Sequence, residues 1–337
     1  MKVHLPCLLI TLSLLVGNEA NSAPLPDIVA ETGVHAGLAI HLGTSDGQVE
    51  IQLAANGRLL VHGLTTDDDQ LAAARKAIQE ARRYGVAAVW ATESLDRLPY
   101  ANDLANLIVA DLDALGDAAP PKEEIHRVLA PLGVAYLRSG GKWTVTRQPL
   151  PPDVDDWPQW DHGPDGNPFS RDERVAPTTS LRWLAGSTAV DGAGSKVGLR
   201  ITDGTVYYAG LNYDVSKRFR RGEKNDIFAR DAFNGVLQWK HPIDGVPGGG
   251  DTPPRFALTA GGGQLYCYPE AGGPLVALDA ETGKTVATFD GGPVAPPISD
   301  WNKWQDRVRK IHYIVRVIDD RVLQTFADTL YISDAKS

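Results

Sequence analysis

The chain has 337 residues, with 33 Lys and Arg against 42 Asp and Glu and a formal net charge of −9. That length allows about two domains, and 43% hydrophobic with 22% charged residues excludes wholesale disorder. The acidic balance argues against a nucleic-acid-binding surface, which needs clustered Lys and Arg to displace counterions; the short basic run at 217–221 reads as a solvated loop.

Lys2 precedes the apolar run 8–16, and small and polar residues follow to Ala23. This is the pattern of a secretory signal peptide over 1–23, so the expected location is outside the cytoplasm: periplasm, cell envelope or medium. The run is too short for a permanent membrane span. Cys7 lacks the small residues of a lipidation box, and a mature chain would keep Cys267 alone, excluding an intramolecular disulfide and a Cys-based metal cluster. Cys267 sits in a strand-like QLYCY segment and reads as an inert buried thiol.

Residues 38–42 form an apolar run that stops at Gly43, and the turn Gly43-Thr44-Ser45-Asp46-Gly47 leads into a short helix over 49–55. A second strand is predicted over 58–64. Thr66-Asp67-Asp68-Asp69 then resembles a capped helix start, with acids at the positive end of the dipole and helical spacing kept to Arg83. Gly85 ends that helix, 86–90 reads as a third strand, and 104–110, apolar apart from Asn106, as a fourth buried parallel strand. Pro121 opens a helix through Leu129, Pro131-Leu132-Gly133 reads as a turn, and 134–138 as a strand. Such alternation predicts a parallel sheet with helices on both faces.

The segments AIHLGTSDG, LVHGLTTD, RLPYANDLANLIVAD and IHRVLAPLGVAYLR resemble a class I S-adenosylmethionine-dependent methyltransferase domain over 35–143. The resemblance implies a Rossmann-like fold, S-adenosylmethionine as cofactor, and a cofactor set of Gly43, Ser45, Gly47, Thr65, Glu93 and Asp111. The chain departs from the family pattern. His41 replaces the acid before the glycine turn, Ser45 the middle glycine, and Thr65 the acid that holds the ribose hydroxyls. Ser94 stands at a common acid position between Glu93 and Asp96, and Asn106 replaces a frequent Asp. Losing the ribose carboxylate removes charge-assisted bonds worth ~1.5–3 kcal/mol each, so the domain reads as a degenerate relative with no catalytic residue assigned. An active methyltransferase is the alternative.

After residue 143 the chain is turn-rich: 38 of 194 positions are Gly or Pro, against 19 of 143 before it. A Pro-rich linker and entry segment is expected over 144–180, and a repeat over 181–337. IFARDAFNGVLQWKHPI aligns without gaps on LVALDAETGKTVATFDG, matching Asp231 to Asp279 and Gly235 to Gly283, 48 residues apart. Each unit is a strand ending in Asp, a turn closed by Gly, and a second strand. A third copy begins near Asp334, 55 residues beyond Asp279. The motif resembles the repeat of pyrroloquinoline-quinone-type β-propellers, with Ala229, Asp231, Asn234, Gly235 and Trp239 fitting the first copy and Ala287 standing where the second would have its tryptophan. The segment DWPQWDHGPDGN looks like the opening of such propellers in planctomycete-like exported proteins. About two and a half blades fall short of a closed ring, so the expected fold is a Rossmann-like α/β domain followed by incomplete all-β propeller blades, in a truncated chain.

The repeat is a structural signature and does not imply quinone binding, since quinoprotein dehydrogenases use vicinal cysteines. No hydrolase elbow, phosphate-binding loop or paired-His zinc motif occurs. His162 beside Asp161, Asp165 and Asn167 reads as a self-bonded polar loop and not a metal site; Trp157 and Trp160 read as packing before sugar stacking. The expected role is an exported binding or scaffold protein whose blades offer a surface to a protein or glycan; the alternatives are an active S-adenosylmethionine-dependent methyltransferase whose propeller selects the substrate and a quinone-dependent dehydrogenase.

Overall fold

The computed structural model describes residues 27–55, 58–174, 181–184, 199–211, 225–243, 258–270, 273–292, 314–326 and 329–335. The signal segment 1–23, the basic run 217–221 and Gly248-Gly249-Gly250 lie outside them. Among the described residues, no helix is long and apolar enough to cross a membrane.

The first unit contains α1 (Ile28–Thr32), β1 (Gly37–Leu42), α2 (Gln48–Ala54), β2 (Leu59–Thr65), α3 (Asp68–Glu80), β3 (Ala87–Ala91), β4 (Ala105–Asp111), α4 (Leu112–Leu115), α5 (Lys122–Val128), β5 (Leu129–Ser139) and β6 (Lys142–Arg147). Its sheet has the order β3-β2-β1-β4-β5-β6, parallel through β5 with β6 antiparallel at the edge. The central strands are buried on both faces, which is why β1 and β4 read as near-continuous apolar runs. One face packs Ala39, Val61 and Val109 against Leu53 of α2 and Ala74 and Ile78 of α3. The other packs Ile40, Leu64 and Ile108 against Ile125 and Val128 of α5. The helix α3 starts where its cap predicts, with the Asp67 carboxylate accepting from the Gln70 N–H at 2.8 Å.

Two boundaries differ from the sequence expectation. The turn expected at Pro131-Leu132-Gly133 lies inside β5, where Leu132 takes φ 64° and the pairing with β4 shifts register between Ala105 and Leu107. This is a bulge: the Leu132 N–H and the Gly133 carbonyl still bond to Gln148, so the strand bends without ending. Beyond it, β6 runs through the boundary expected at 143/144 and carries the sheet to Arg147.

Among the described residues, the second unit contains three antiparallel sheets in the orders β10-β9-β8-β7, β11-β12-β13-β14 and β15-β16-β17. The first comprises β7 (Arg200–Thr202), β8 (Thr205–Leu211), β9 (Asn225–Asp231) and β10 (Leu237–Ile243). The second comprises β11 (Thr259–Gly261), β12 (Gln264–Cys267), β13 (Leu275–Asp279) and β14 (Thr285–Phe289); the third, β15 (Ile314–Ile318), β16 (Arg321–Phe326) and β17 (Thr329–Asp334). The sheets stack face to face. Strand alternation lets the middle one give Leu265, Cys267 and Val276 to the first and Tyr266, Tyr268 and Leu275 to the third. Burial pushes the Cys267 thiol up to about 12, so it is inert.

The repeat seen in the sequence is a repeat of hydrogen bonds. Asp231 Oδ1 accepts from the Phe233 and Asn234 N–H groups at 2.9 Å, and Asp279 Oδ1 from the Thr282 N–H at 2.8 Å. The N–H groups of Ala232, Ala280 and Ala335 donate in turn to the carbonyls of Gly204, Gly263 and Asp320, so the third copy near Asp334 is real. Trp239 lies on the turn of the next copy: its Nε1 donates to the Ala280 carbonyl at 2.8 Å, and its ring lies 2.5 Å from where a Gly283 Cβ would stand. Trp183, which the sequence pattern did not single out, docks identically on Gly235 and bonds the Ala232 carbonyl at 3.0 Å. A Gly283→Ala chain, forced to φ 70° against that ring, is expected to lose about 1–2 kcal/mol from the left-handed backbone alone, more once the indole shifts; urea denaturation reads it.

The entry segment is a strap across the first strand of every sheet. Trp157 exchanges backbone bonds with Ile201 of β7, Pro158 accepts from the Ala260 N–H of β11, and the Gln159 amide exchanges two bonds with Val317 of β15. Trp157 packs on the edge of His162, and Arg200 lies over the Trp160 ring. Both tryptophans are therefore packing elements. His162 bonds Asp155 at 2.7 Å.

Candidate functional site

A doubly wound sheet places its ligand crevice outside the carboxyl ends of the strands, where the order reverses between β1 and β4. The residues implied by the resemblance do stand at that end: Gly43 follows β1, Thr65 ends β2, Glu93 follows β3 and Asp111 ends β4. Their bonds are another matter. Gly43 takes φ 85°, its N–H and that of Thr44 both donate to the Leu64 carbonyl, and a Cβ there would stand 2.9 Å from Leu115 Cδ2. The Leu115 side chain lies against Gly43 of this cradle and, with Leu112, packs on the core of that face. Gly47 is needed for packing: a Cβ would stand 3.0 Å from the Ala74 carbonyl and 3.1 Å from its Cα, so its absence lets the start of α2 approach α3.

Two of the four polar members are also engaged. Thr65 is buried, donates to Gln70 Oε1 at 3.0 Å and accepts from the Asp67 N–H at 3.2 Å. Asp111 caps α4 by accepting from the Ala114 N–H at 3.0 Å and pairs with Arg138 at 2.8 Å. Ser45 and Glu93 are exposed. Three of the six implied positions are thus engaged within the protein: Leu115 lies against Gly43, and Thr65 and Asp111 hold hydrogen-bond partners.

A titratable cluster that the sequence did not disclose lies beside the turn. Glu50 of α2 is fully buried; its Oε1 lies 2.6 Å from His41 Nδ1 and accepts from the Thr44 hydroxyl at 2.5 Å, while its Oε2 has no partner. Gly63 makes room, since a Cβ there would stand 2.4 Å from Glu50 Oε1. Burial pushes this carboxyl up, but the bonds from His41 and Thr44 outweigh it and hold it below the ordinary carboxylate range. His62 stands 2.6 Å from the Tyr100 hydroxyl and edge-on to Trp90. Burial holds His62 below the usual imidazole range and Tyr100 above the usual phenol range.

Asn106 lies elsewhere than the resemblance implied. As the second residue of β4 it sits at the opposite, amino end of the sheet and faces the turn of the first antiparallel sheet. Its Nδ2 donates to Asp231 Oδ2 at 2.6 Å; its Oδ1 accepts from Asn234 Nδ2 at 2.7 Å and from the Leu38 N–H at 2.8 Å. Gly37 permits this, because any Cβ there would overlap the Asn106 amide. Arg58 strengthens the same contact by donating to the carbonyls of Gln238 and Glu281. Beside it lies a cavity of about 330 Å³ between the two units, with Arg58 and Arg147 on one wall and Asp203, Thr205 and Glu281 on the other.

No family model matches the chain, and no curated protein matches it. Among solved structures it is similar to a putative S-adenosyl-L-methionine-dependent methyltransferase from Methanococcus maripaludis, at 24% identity over 34% of this chain and 54% of that one, with a TM-score of 0.31. It is also similar to a putative sarcosine dimethylglycine methyltransferase from Galdieria sulphuraria, at 22% identity over 32% of this chain and 42% of that one, TM-score 0.29. A SAM-dependent methyltransferase from Aquifex aeolicus matches at 14% identity over 30% of this chain and 55% of that one, TM-score 0.27. The chain thus spans about half the length of these proteins. The α/β class of residues 27–147 rests on its own strand order.

Proposed function

We propose that this chain is an exported binding or assembly protein, in which a methyltransferase-like α/β unit has become a structural module and the stacked sheets are quinoprotein-type propeller blades offering a surface to a protein or glycan. The observation that carries the reading is Leu115 lying over Gly43, at the place where a nucleotide cofactor would need backbone approach. The engagement of Asp111 with Arg138 and the Ala114 N–H supports it. The repeated Asp turns and the tryptophan seated on the following turn support blades. The charged start and apolar run before residue 17 support export.

Titration of the full chain with S-adenosylmethionine in a calorimeter tests the reading. The expected result is no saturable heat at the cradle up to about 1 mM, a weaker affinity than about −4 kcal/mol. Saturable micromolar binding that is abolished by Gly43→Val overturns it and favours the rival, an active methyltransferase whose sheets select the substrate.

A further inference from the structure

The cavity between the two units has a mixed polar lining that neither the cradle nor the sheet stack explains. Its volume, about 330 Å³, is at the lower end of small-molecule sites. Arg147 is fixed there by two backbone carbonyls, donating from Nη1 to Leu132 at 2.7 Å and from Nη2 to Thr32 at 3.4 Å. A guanidinium carries five N–H donors, and among the described residues Arg147 has no carboxylate partner. Asp203 stands on the facing hairpin turn at φ 48°, and its carboxylate meets only the Thr202 hydroxyl at 3.4 Å, with no cation partner among the described residues. Asp231, Thr205 and Tyr207 are buried at its edge, so the cavity is polar to its base.

We propose that this cleft binds a small zwitterion, an α-amino acid, with its carboxylate on Arg147 and its ammonium on Asp203. A guanidinium and a carboxylate, each without an opposite charge among the described residues and the guanidinium held by backbone carbonyls, are complementary to a ligand that carries both charges. A neutral polyol would leave both unpaired, and a dicarboxylate would face Asp203 and Glu281. Because the site is walled by the α1–β1 loop, β4, β5 and β6 on one side and by the β7–β8 hairpin on the other, the ligand would also tie the two units together.

The test is thermal denaturation and calorimetry of the full chain against the twenty free amino acids, with glucose and succinate as controls. The expected result is that at least one amino acid raises the melting temperature and titrates saturably, whereas glucose and succinate do neither. Asp203→Asn keeps a residue type that tolerates the left-handed turn and is expected to weaken that binding at least tenfold, as is Arg147→Ala. Absence of binding by every amino acid overturns the proposal, as does binding that survives both substitutions, or binding of glucose or succinate in their place. S-adenosylmethionine itself carries an α-amino-acid group, so any heat it gives that Asp203→Asn removes belongs to this cleft; heat that Gly43→Val removes belongs to the cradle.

Discussion

Asn106→Ala is expected to cost roughly 3–5 kcal/mol of unfolding free energy, because it removes three hydrogen bonds, one of them to a buried carboxylate. The partners are the Leu38 N–H, the Asn234 amide and the Asp231 carboxylate, whose residue is 4% exposed. Burial already raises the Asp231 carboxyl above the ordinary range, with the Asn106 bond opposing it. A raised folded value means that the group's contribution to stability is complete below its unfolded value and is lost as the pH rises through the folded value. Without Asn106 that loss deepens, so the variant recovers stability on acidification more than the parent does. Asn106→Asp is expected to act more strongly in the same direction, since it sets a second carboxylate at 2.6 Å from the first. Urea denaturation across the acid range checks both. A single transition for the parent that splits in two for the variants would show that this contact couples the units; an unchanged midpoint would contradict the assignment.

His41→Ala carries the second large effect, again about 3–5 kcal/mol, because it takes one partner from a carboxylate that is fully out of water. In the parent, Glu50 titrates below the ordinary range, so its contribution is present above the unfolded value and lost as the pH falls through the folded one. Without His41 the burial penalty meets the Thr44 bond and the carboxylate's own backbone bond. The folded value rises, and the acid-range dependence of the melting temperature weakens or changes sign. Glu50→Gln, which removes the charge and keeps the volume, is expected to flatten that dependence outright. A His41→Ala chain with the parent's pH profile would show that the 2.6 Å contact contributes nothing to the folded state.

The five parallel strands and the repeat turns were legible in the sequence; α1, α4 and β6 were not. A buried parallel strand must be apolar throughout, so 38–42 and 104–110 announced themselves, and Asp67 announced the start of α3 because a helix leaves its first N–H groups to be capped. The Asp and Gly of the repeat were legible for the same local reason: their bonds close within five residues. Periodicity failed where a strand was bent rather than ended, at the Leu132 bulge.

What only the tertiary structure decided is how polar and apolar side chains far apart in the chain are brought together. Asn106 and Asp231 lie 125 residues apart, and nothing local to either says that they meet. No sequence signal places Leu115 against Gly43, and Arg147, inside the linker expected over 144–180, is found on β6 facing Asp203 across the cavity. Local hydrogen bonding and alternation determine which segments are strands and helices. Which functional atoms remain available depends on long-range packing, which no window of sequence contains.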